Sequence, residues 1–139
     1  STQRAILWGG NLSLVQNLLG TQFFPKDVND GILFLEDVNE HPYRIERMLW
    51  QLLENGILGS QQAILFGDFS EYHLSPVDQT YDLLSALKRI HQELRNRGSK
   101  TVFLMGLPFG HIKNKVTLPV GAMVHLSYSS KGFSLSKAD

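Results

Sequence analysis

The sequence contains no cysteine, which excludes disulfide bonds and thiol-based catalysis. It has no net charge either, because its 13 basic residues are balanced by 13 acidic ones. A balanced chain offers no broad basic surface, so we expect neither nucleic acid nor an anionic membrane as a partner. No apolar run approaches the roughly 20 residues that span a bilayer. These absences predict a soluble globular protein.

Several chemical motifs are absent as well. No two histidines have the i, i+4 spacing of a helical metal pair, so no metal site is predicted. The glycines follow neither the dinucleotide-binding nor the P-loop spacing, and no phosphate-bearing cofactor is expected. The chain also lacks a Gly-x-Ser-x-Gly elbow, so no serine in it has the setting of a nucleophile.

The 139 residues that are present are 42% hydrophobic and 19% charged, which is ordinary for one globular domain. Short apolar runs predict strands at Ala5–Trp8, Ile32–Leu35, Ala63–Phe66, Thr101–Met105, Val116–Val120, Ala122–Tyr128 and Phe133–Leu135. Amphipathic segments predict three helices: one from the cap Asn11 to Gly20, one from Pro42 to Gly56, and one from the capping box Ser75–Asp78 to Gly98. Gly9-Gly10 is predicted to be a turn. This alternation predicts an α/β domain with a mainly parallel sheet and antiparallel C-terminal strands.

A carboxylate and a histidine each follow a predicted buried strand. Glu36 comes directly after Ile32–Leu35, and His111 ends the segment GLPFGH (106–111), which follows Thr101–Met105. Functional groups in open parallel sheets gather at the carboxyl ends of the strands, so we expect both side chains at one edge. There the carboxylate would hold the imidazole in one tautomer and stabilise the imidazolium that forms on proton transfer. The spacing thus predicts an acid–base pair.

The same residues admit a plainer interpretation. Glu36 and Asp37 also fit a strand that simply reaches water, and His111 also fits a turn rich in glycine and proline. Because side chains alternate along a strand, the two carboxylates should face opposite ways in either case. Arg44 is a candidate donor to a substrate carboxylate, although a packing or solvated role fits it better. Packing, cap and loop roles are expected for the other histidines: His41, His73, His91 and His125.

Four segments, in order along the chain, resemble a single protein family. They are GGNLSLVQNLLGT (9–21), GILFLEDVNEHPYRIERMLWQL (31–52), GLPFGH (106–111) and LPVG (118–121). They resemble the C-terminal domain of the LD-carboxypeptidases, a family of muramoyltetrapeptide carboxypeptidases and related microcin-immunity peptidases. The resemblance covers essentially all of residues 1–139, and four ordered motifs argue against an accidental match by an unrelated α/β domain.

This resemblance implies a fold and a catalytic triad. The fold would be a three-layer β/β/α domain of the swivelling type, with a mainly parallel central sheet and antiparallel C-terminal strands. The triad would be Ser–Glu–His, with Glu36 and His111 as its glutamate and histidine. In the family the serine lies on an N-terminal domain, which residues 1–139 do not include. We therefore expect a natural protein of about twice this length, and an isolated chain without activity.

The resemblance also implies a reaction and a setting. The family hydrolyses the amide between an L-configured centre and a C-terminal D-amino acid, usually the D-alanine of a murein tetrapeptide, without a cofactor. The expected setting is cell-wall peptide recycling in the bacterial cytoplasm, by an enzyme that pairs with its own N-terminal domain and forms a homodimer at full length. Two alternatives stay open: a microcin-immunity-type peptidase that cleaves a peptidyl-nucleotide, and a non-catalytic binding domain that kept the fold.

Overall fold

A computed structural model describes all 139 residues as one six-stranded sheet with three α-helices. The strands are β1 Thr2–Asn11, β2 Ile32–Val38, β3 Ala63–Ser70, β4 Val102–Met105, β5 Met123–Ser129 and β6 Gly132–Lys137. The helices are α1 Leu12–Asn17, α2 Pro42–Glu54 and α3 Leu83–Asn96, with a short 3-10 helix at Leu58–Ser60. None of these helices combines the length and the apolar character needed to cross a membrane.

The sheet is mixed, with the strand order β4-β3-β2-β1-β5-β6. Strands β1 to β4 pair in parallel, whereas β5 and β6 form an antiparallel hairpin that extends the sheet from β1. The predicted α/β class and the switch to antiparallel strands at the C-terminus are confirmed. β2 lies at the centre of the parallel part, and for that reason its residues 32–37 are buried without alternation.

The two faces of the sheet are covered in different ways. All three helices pack on the face that carries Leu33 and Leu35. The other face carries Ile32 and Phe34 and is covered by the irregular segment 106–121, which contributes Leu107, Phe109 and Leu118. Helices, sheet and this segment thus form three layers. Because side chains alternate along β2, odd-numbered positions meet the helices and even-numbered positions meet segment 106–121.

The predicted helix caps are confirmed for α1 and α2. The side chain of Asn11 accepts a hydrogen bond from the backbone N–H of Leu14 at 3.1 Å. Pro42 occupies the first turn of α2, and the Nδ1 atom of His41 accepts the N–H of Tyr43 at 3.1 Å. These contacts satisfy N–H groups that have no partner within the helix. They fix where each helix leaves the carboxyl edge of the sheet.

The predicted start of the third helix was wrong. Residues 76–80 form turns, and α3 begins at Leu83 with Asp82 as its cap. The predicted capping box fails because Ser75 donates its hydroxyl to the carboxylate of Asp78 at 2.8 Å. That carboxylate also lies 2.8 Å from Nε2 of His41, so it is held outside the helix. The side chain of Asp82 instead accepts the N–H of Ser85 at 2.9 Å.

Two further predictions of local structure were also wrong. Gly9-Gly10 is not a turn, since both residues lie within β1 and pair with Phe34 and Leu35 of β2. Val116–Val120 is not a strand, because its backbone forms hydrogen bonds within segment 106–121 and not with a neighbouring strand. Pro119 also lacks the N–H that a ladder would need. The N–H of Val116 donates to Pro108 at 2.9 Å, and that of Val120 donates to Leu118 at 3.0 Å.

Candidate functional site

Glu36 and His111 meet at the carboxyl edge of the parallel strands. Oε2 of Glu36 lies 3.1 Å from Nδ1 of His111, so the expected contact between the two side chains is present. Glu36 is only 5% exposed, whereas 56% of the His111 side chain is open to solvent. The carboxylate is therefore shielded behind the imidazole. The outer ring nitrogen, Nε2, makes no hydrogen bond within the chain.

Residues 106–111, here called the histidine loop, are fastened to the sheet beside Glu36. The N–H of Leu107 donates to the carbonyl of Phe66 at 3.1 Å, and the N–H of Asp68 donates to the carbonyl of Phe109 at 2.8 Å. The ring of Phe109 also meets Phe34 edge to face, with centroids 5.2 Å apart. The loop thus extends the ladder of β3 without being a strand, and His111 emerges next to the carboxylate.

Asp37, the neighbouring carboxylate, serves a different purpose on the helix-covered face. Its oxygens accept hydrogen bonds from the side chain of Asn11 at 3.1 Å and from the N–H and the hydroxyl of Ser13 at 2.9 and 2.6 Å. The backbone N–H of Val38 adds a fourth bond at 2.9 Å. Asp37 therefore ties the start of α1 to the end of β2, and the two carboxylates face opposite ways as expected.

Sequence reasoning missed this second cluster and the strand irregularity that faces Glu36. The pairing of β2 with β3 shifts between Leu35 and Asp37, so that β3 bulges at Gly67 and Asp68. The bulge had one weak signal, because an isolated glycine inside a strand, such as Gly67, often marks a bulge. The partnership of Asp37 with α1 had a faint signal, since Asn11 and Ser13 are residue types that gather at helix starts.

The remaining candidates lie outside the Glu36–His111 pair. Nε of Arg44 is 2.8 Å from the carboxylate of Glu40, one turn away on the same chain segment. His41 caps α2, and His91 packs against Phe103 with ring centroids 4.9 Å apart. Burial, reinforced by the charge of Arg95, lowers the pKa of His91 below its ordinary value. These residues keep the structural roles expected of them.

The geometry of the pair defines what it can do chemically. A carboxylate that accepts Nδ1–H leaves Nε2 of a neutral imidazole unprotonated and able to accept a proton from the solvent side. The imidazolium formed in that step lies against the buried negative charge of Glu36, which stabilises it. His111 forms no hydrogen bond with a serine of this chain. The pair faces outward and has the geometry of an acid–base unit.

Comparisons with known proteins identify similar chains. Residues 4–126 match the family model described as the LD-carboxypeptidase C-terminal domain. The protein named "probable murein peptide carboxypeptidase" from Bacillus subtilis is 34% identical over 125 residues, which are 90% of this chain and 37% of that protein. A crystal structure of muramoyltetrapeptide carboxypeptidase from Oxalobacter formigenes superposes with a TM-score of 0.86. It is 45% identical, and the alignment covers all of this chain and 47% of that one.

A more distant relative carries another name. The microcin C7 self-immunity protein MccF of Escherichia coli is 25% identical over 131 residues, which are 93% of this chain and 36% of that protein. A structure of MccF in complex with glutamyl sulfamoyl guanosine superposes with a TM-score of 0.81 at 20% identity, which shows a shared fold. In each of these alignments the chain spans less than half the length of the relative.

Proposed function

The chain belongs to the family of LD-carboxypeptidase C-terminal domains, and on that premise we propose that it supplies the histidine and glutamate of a Ser–Glu–His carboxypeptidase. The observation that carries the proposal is the 3.1 Å contact between a buried Glu36 and a half-exposed His111. A structural ion pair gains nothing from leaving Nε2 unpartnered at the surface, whereas a general base requires it.

The serine belongs to an N-terminal domain outside residues 1–139. Nε2 of His111 takes the serine proton while the serine oxygen attacks the substrate carbonyl. The tetrahedral intermediate collapses as His111 gives that proton to the departing amine, which leaves as the free D-amino acid. A water molecule then gives a proton to Nε2 and hydrolyses the acyl-enzyme, and the proton finally returns to the serine. Glu36 keeps its charge throughout and stabilises each imidazolium.

The substrate is a peptide that ends in a D-amino acid, with the D-alanine of murein tetrapeptide as the first choice. The names of the Bacillus and Oxalobacter relatives support a murein peptide. The setting that follows is recycling of cell-wall peptides in the bacterial cytoplasm. The second candidate, a microcin-immunity-type peptidase that cleaves a peptidyl-nucleotide, is supported by the alignment with MccF.

The test uses the whole protein, that is, this chain joined to its N-terminal domain. His111→Ala should lower the rate of D-alanine release from murein tetrapeptide by about three orders of magnitude or more, because general base and general acid are lost together. His125→Ala is the matched control, since His125 is exposed on β5 and its side chain makes no hydrogen bond.

Each outcome has a distinct meaning. Retention of more than a tenth of the activity in His111→Ala would overturn the assignment of His111. A wild-type protein that binds these peptides without cleaving them would favour the non-catalytic binding domain. Cleavage of an aminoacyl sulfamoyl nucleoside, together with no release of D-alanine, would favour the microcin-immunity-type activity over the murein peptidase.

A further inference from the structure

The bulge of β3 lies directly opposite Glu36, and one of its two residues has no side chain. We propose that Gly67 is a positioning residue of the catalytic pair, because only a residue without a β-carbon lets the histidine loop dock close enough to hold His111 against Glu36. The proposal rests on the proposed function of that pair. It assigns a role to Gly67 that neither the motifs nor the spacing of the sequence indicated.

The bulge creates the place where the loop docks. Leu35 pairs with Phe66 and Asp37 pairs with Phe69, so one residue of β2, Glu36, faces two residues of β3. The extra residue turns the N–H of Asp68 away from β2. That N–H donates to the carbonyl of Phe109, two residues before His111, at 2.8 Å. Bulges beside active sites commonly redirect a group in this way.

Distances show how little room there is at Gly67. A β-carbon placed on Gly67 would lie 2.5 Å from the carbonyl oxygen of Phe109 and 3.3 Å from Cβ of Glu36. The first distance is well inside van der Waals contact, and the Phe109 oxygen is a backbone atom that cannot rotate away. The backbone of Gly67 is not in the left-handed region, so alanine is compatible with its conformation. A substitution at this position therefore acts through the contact with the loop.

The loop side of the same contact is also close, although less tight than Gly67. Gly110 adopts a φ of +131°, which favours glycine, and a β-carbon there would lie 3.3 Å from Cβ of Glu36. Glu36 is thus flanked by two glycines, one on β3 and one on the histidine loop. Any outward shift of Phe109 moves Gly110 and His111 with it, since the three residues are consecutive. A displacement of about 1 Å in a catalytic group is enough to cost roughly 100-fold in rate.

The hydrogen bond between His111 and Glu36 determines the tautomer of His111, which can be measured by spectroscopy. If Gly67 had only a structural role, its substitution would leave this tautomer unchanged. As an acceptor, the carboxylate selects the tautomer of neutral His111 that carries its proton on Nδ1. If the loop moves outward, that selection is lost and the proton moves to Nε2. Two-bond ¹H–¹⁵N correlation spectra distinguish the two tautomers of a neutral imidazole, and they require no catalytic activity.

The experiment combines Gly67→Ala with the matched control Gly59→Ala. Gly59 also lies outside the left-handed region, and a β-carbon there would meet its nearest atom at an ordinary 3.5 Å. In the whole protein, we expect Gly67→Ala to lower kcat for D-alanine release about 10- to 100-fold with KM changed by less than about twofold. The spectra of Gly67→Ala should show His111 shifted toward the Nε2–H tautomer. Gly59→Ala should match the wild type in kcat and in tautomer.

A folded Gly67→Ala protein with unchanged kcat and an unchanged tautomer would overturn the proposal. If that variant does not fold, Phe109→Leu decides instead, because it loosens the same loop by removing the edge-to-face contact with Phe34. An unchanged tautomer in Phe109→Leu would then also overturn it. A tautomer shift in Gly67→Ala, combined with full activity in His111→Ala, would leave the positioning role intact and refute the proposed function. The reverse pattern would refute only the role of Gly67.

Discussion

Glu36 and Asp37 are adjacent carboxylates at the end of one strand, and they are almost equally buried, at 5% and 4% exposure. Asp37 accepts four hydrogen bonds, from Asn11, Ser13 and Val38. Glu36 has a single partner, the ring of His111. Asp37 meets a helix start that supplies fixed donors, whereas Glu36 meets a loop that supplies one titratable donor.

We interpret the difference as one between a structural carboxylate and a carboxylate that serves the proposed reaction. A buried charge is costly unless hydrogen bonds replace its lost hydration, and Asp37 has those bonds. Glu36 has one such bond, so its burial adds little to the stability of the fold. The arrangement becomes favourable when His111 takes up a proton, because a full positive charge then lies 3.1 Å from the carboxylate. We infer that Asp37 maintains the edge of the sheet and that Glu36 serves a reaction there.

Glu36→Gln is the most direct test of the difference between the two carboxylates. This change keeps the shape of the side chain but removes the charge that stabilises the imidazolium, so turnover by the whole protein should fall about 1,000-fold or more. The free energy of unfolding, measured by urea titration, should change by less than about 1 kcal/mol, because a single polar contact is exchanged for another. Near-normal turnover in Glu36→Gln would show that the two carboxylates do not differ as described.

Asp37→Asn should give the opposite result. An amide cannot accept all the bonds that Asn11, Ser13 and Val38 donate, and it turns an N–H₂ group toward one of these donors. We expect the free energy of unfolding to fall by about 2–4 kcal/mol, while turnover of the folded protein falls less than about tenfold. Asp30→Asn is the control, since Asp30 is exposed and its side chain makes no hydrogen bond. A stable Asp37→Asn protein with abolished turnover would show that Asp37, and not Glu36, is the catalytic carboxylate.

Much of this edge was predictable because it rests on local patterns. The apolar run before Glu36 identified a central strand, and the alternation along that strand placed the two carboxylates on opposite faces. The caps Asn11 and His41 follow from residue preferences of helix starts. The resemblance to a family then predicted a catalytic role for Glu36 and His111, which spacing alone left open.

The errors arose where contacts distant in sequence decide the structure. Gly9-Gly10 has the composition of a turn, yet the close parallel pairing with β2 keeps both residues in a strand. In the predicted capping box at Ser75, the carboxylate of Asp78 contacts His41, which is distant in sequence, and α3 begins only at Leu83. The N–H of Asp68 in the bulge donates to Phe109 of the histidine loop, which is distant in sequence. No local pattern reports such pairings.

His91 is a half-buried titratable group on α3, and it gives the smallest expected effect. Its Nε2 atom is buried without a hydrogen-bond partner, and burial lowers its pKa from the ordinary value of 6.5. The unfolded state therefore binds a proton more readily than the folded one. Stability should decrease as the pH falls below about 6.5 and level off once the pH is below the folded pKa.

The measurement for His91 is the urea midpoint as a function of pH. His91→Gln should remove part of the decrease in midpoint on the acid side, because glutamine does not titrate, whereas His125→Gln should leave it in place. An identical pH dependence in wild type and His91→Gln would show that the burial of His91 has no consequence for stability. The result would sharpen the contrast with Glu36, whose sparse partnering we attribute to function.

We propose that this chain carries the glutamate and the histidine of the reaction and that an N-terminal domain carries the nucleophile. The most direct test measures D-alanine release from murein tetrapeptide by the 139-residue chain alone, by the separately prepared N-terminal domain alone, and by the two mixed. We predict release only from the mixture, and none when the chain carries His111→Ala. Release by the chain alone, abolished by a substitution of one of its own serines, would contradict the claim, as would equal release by a mixture that contains His111→Ala.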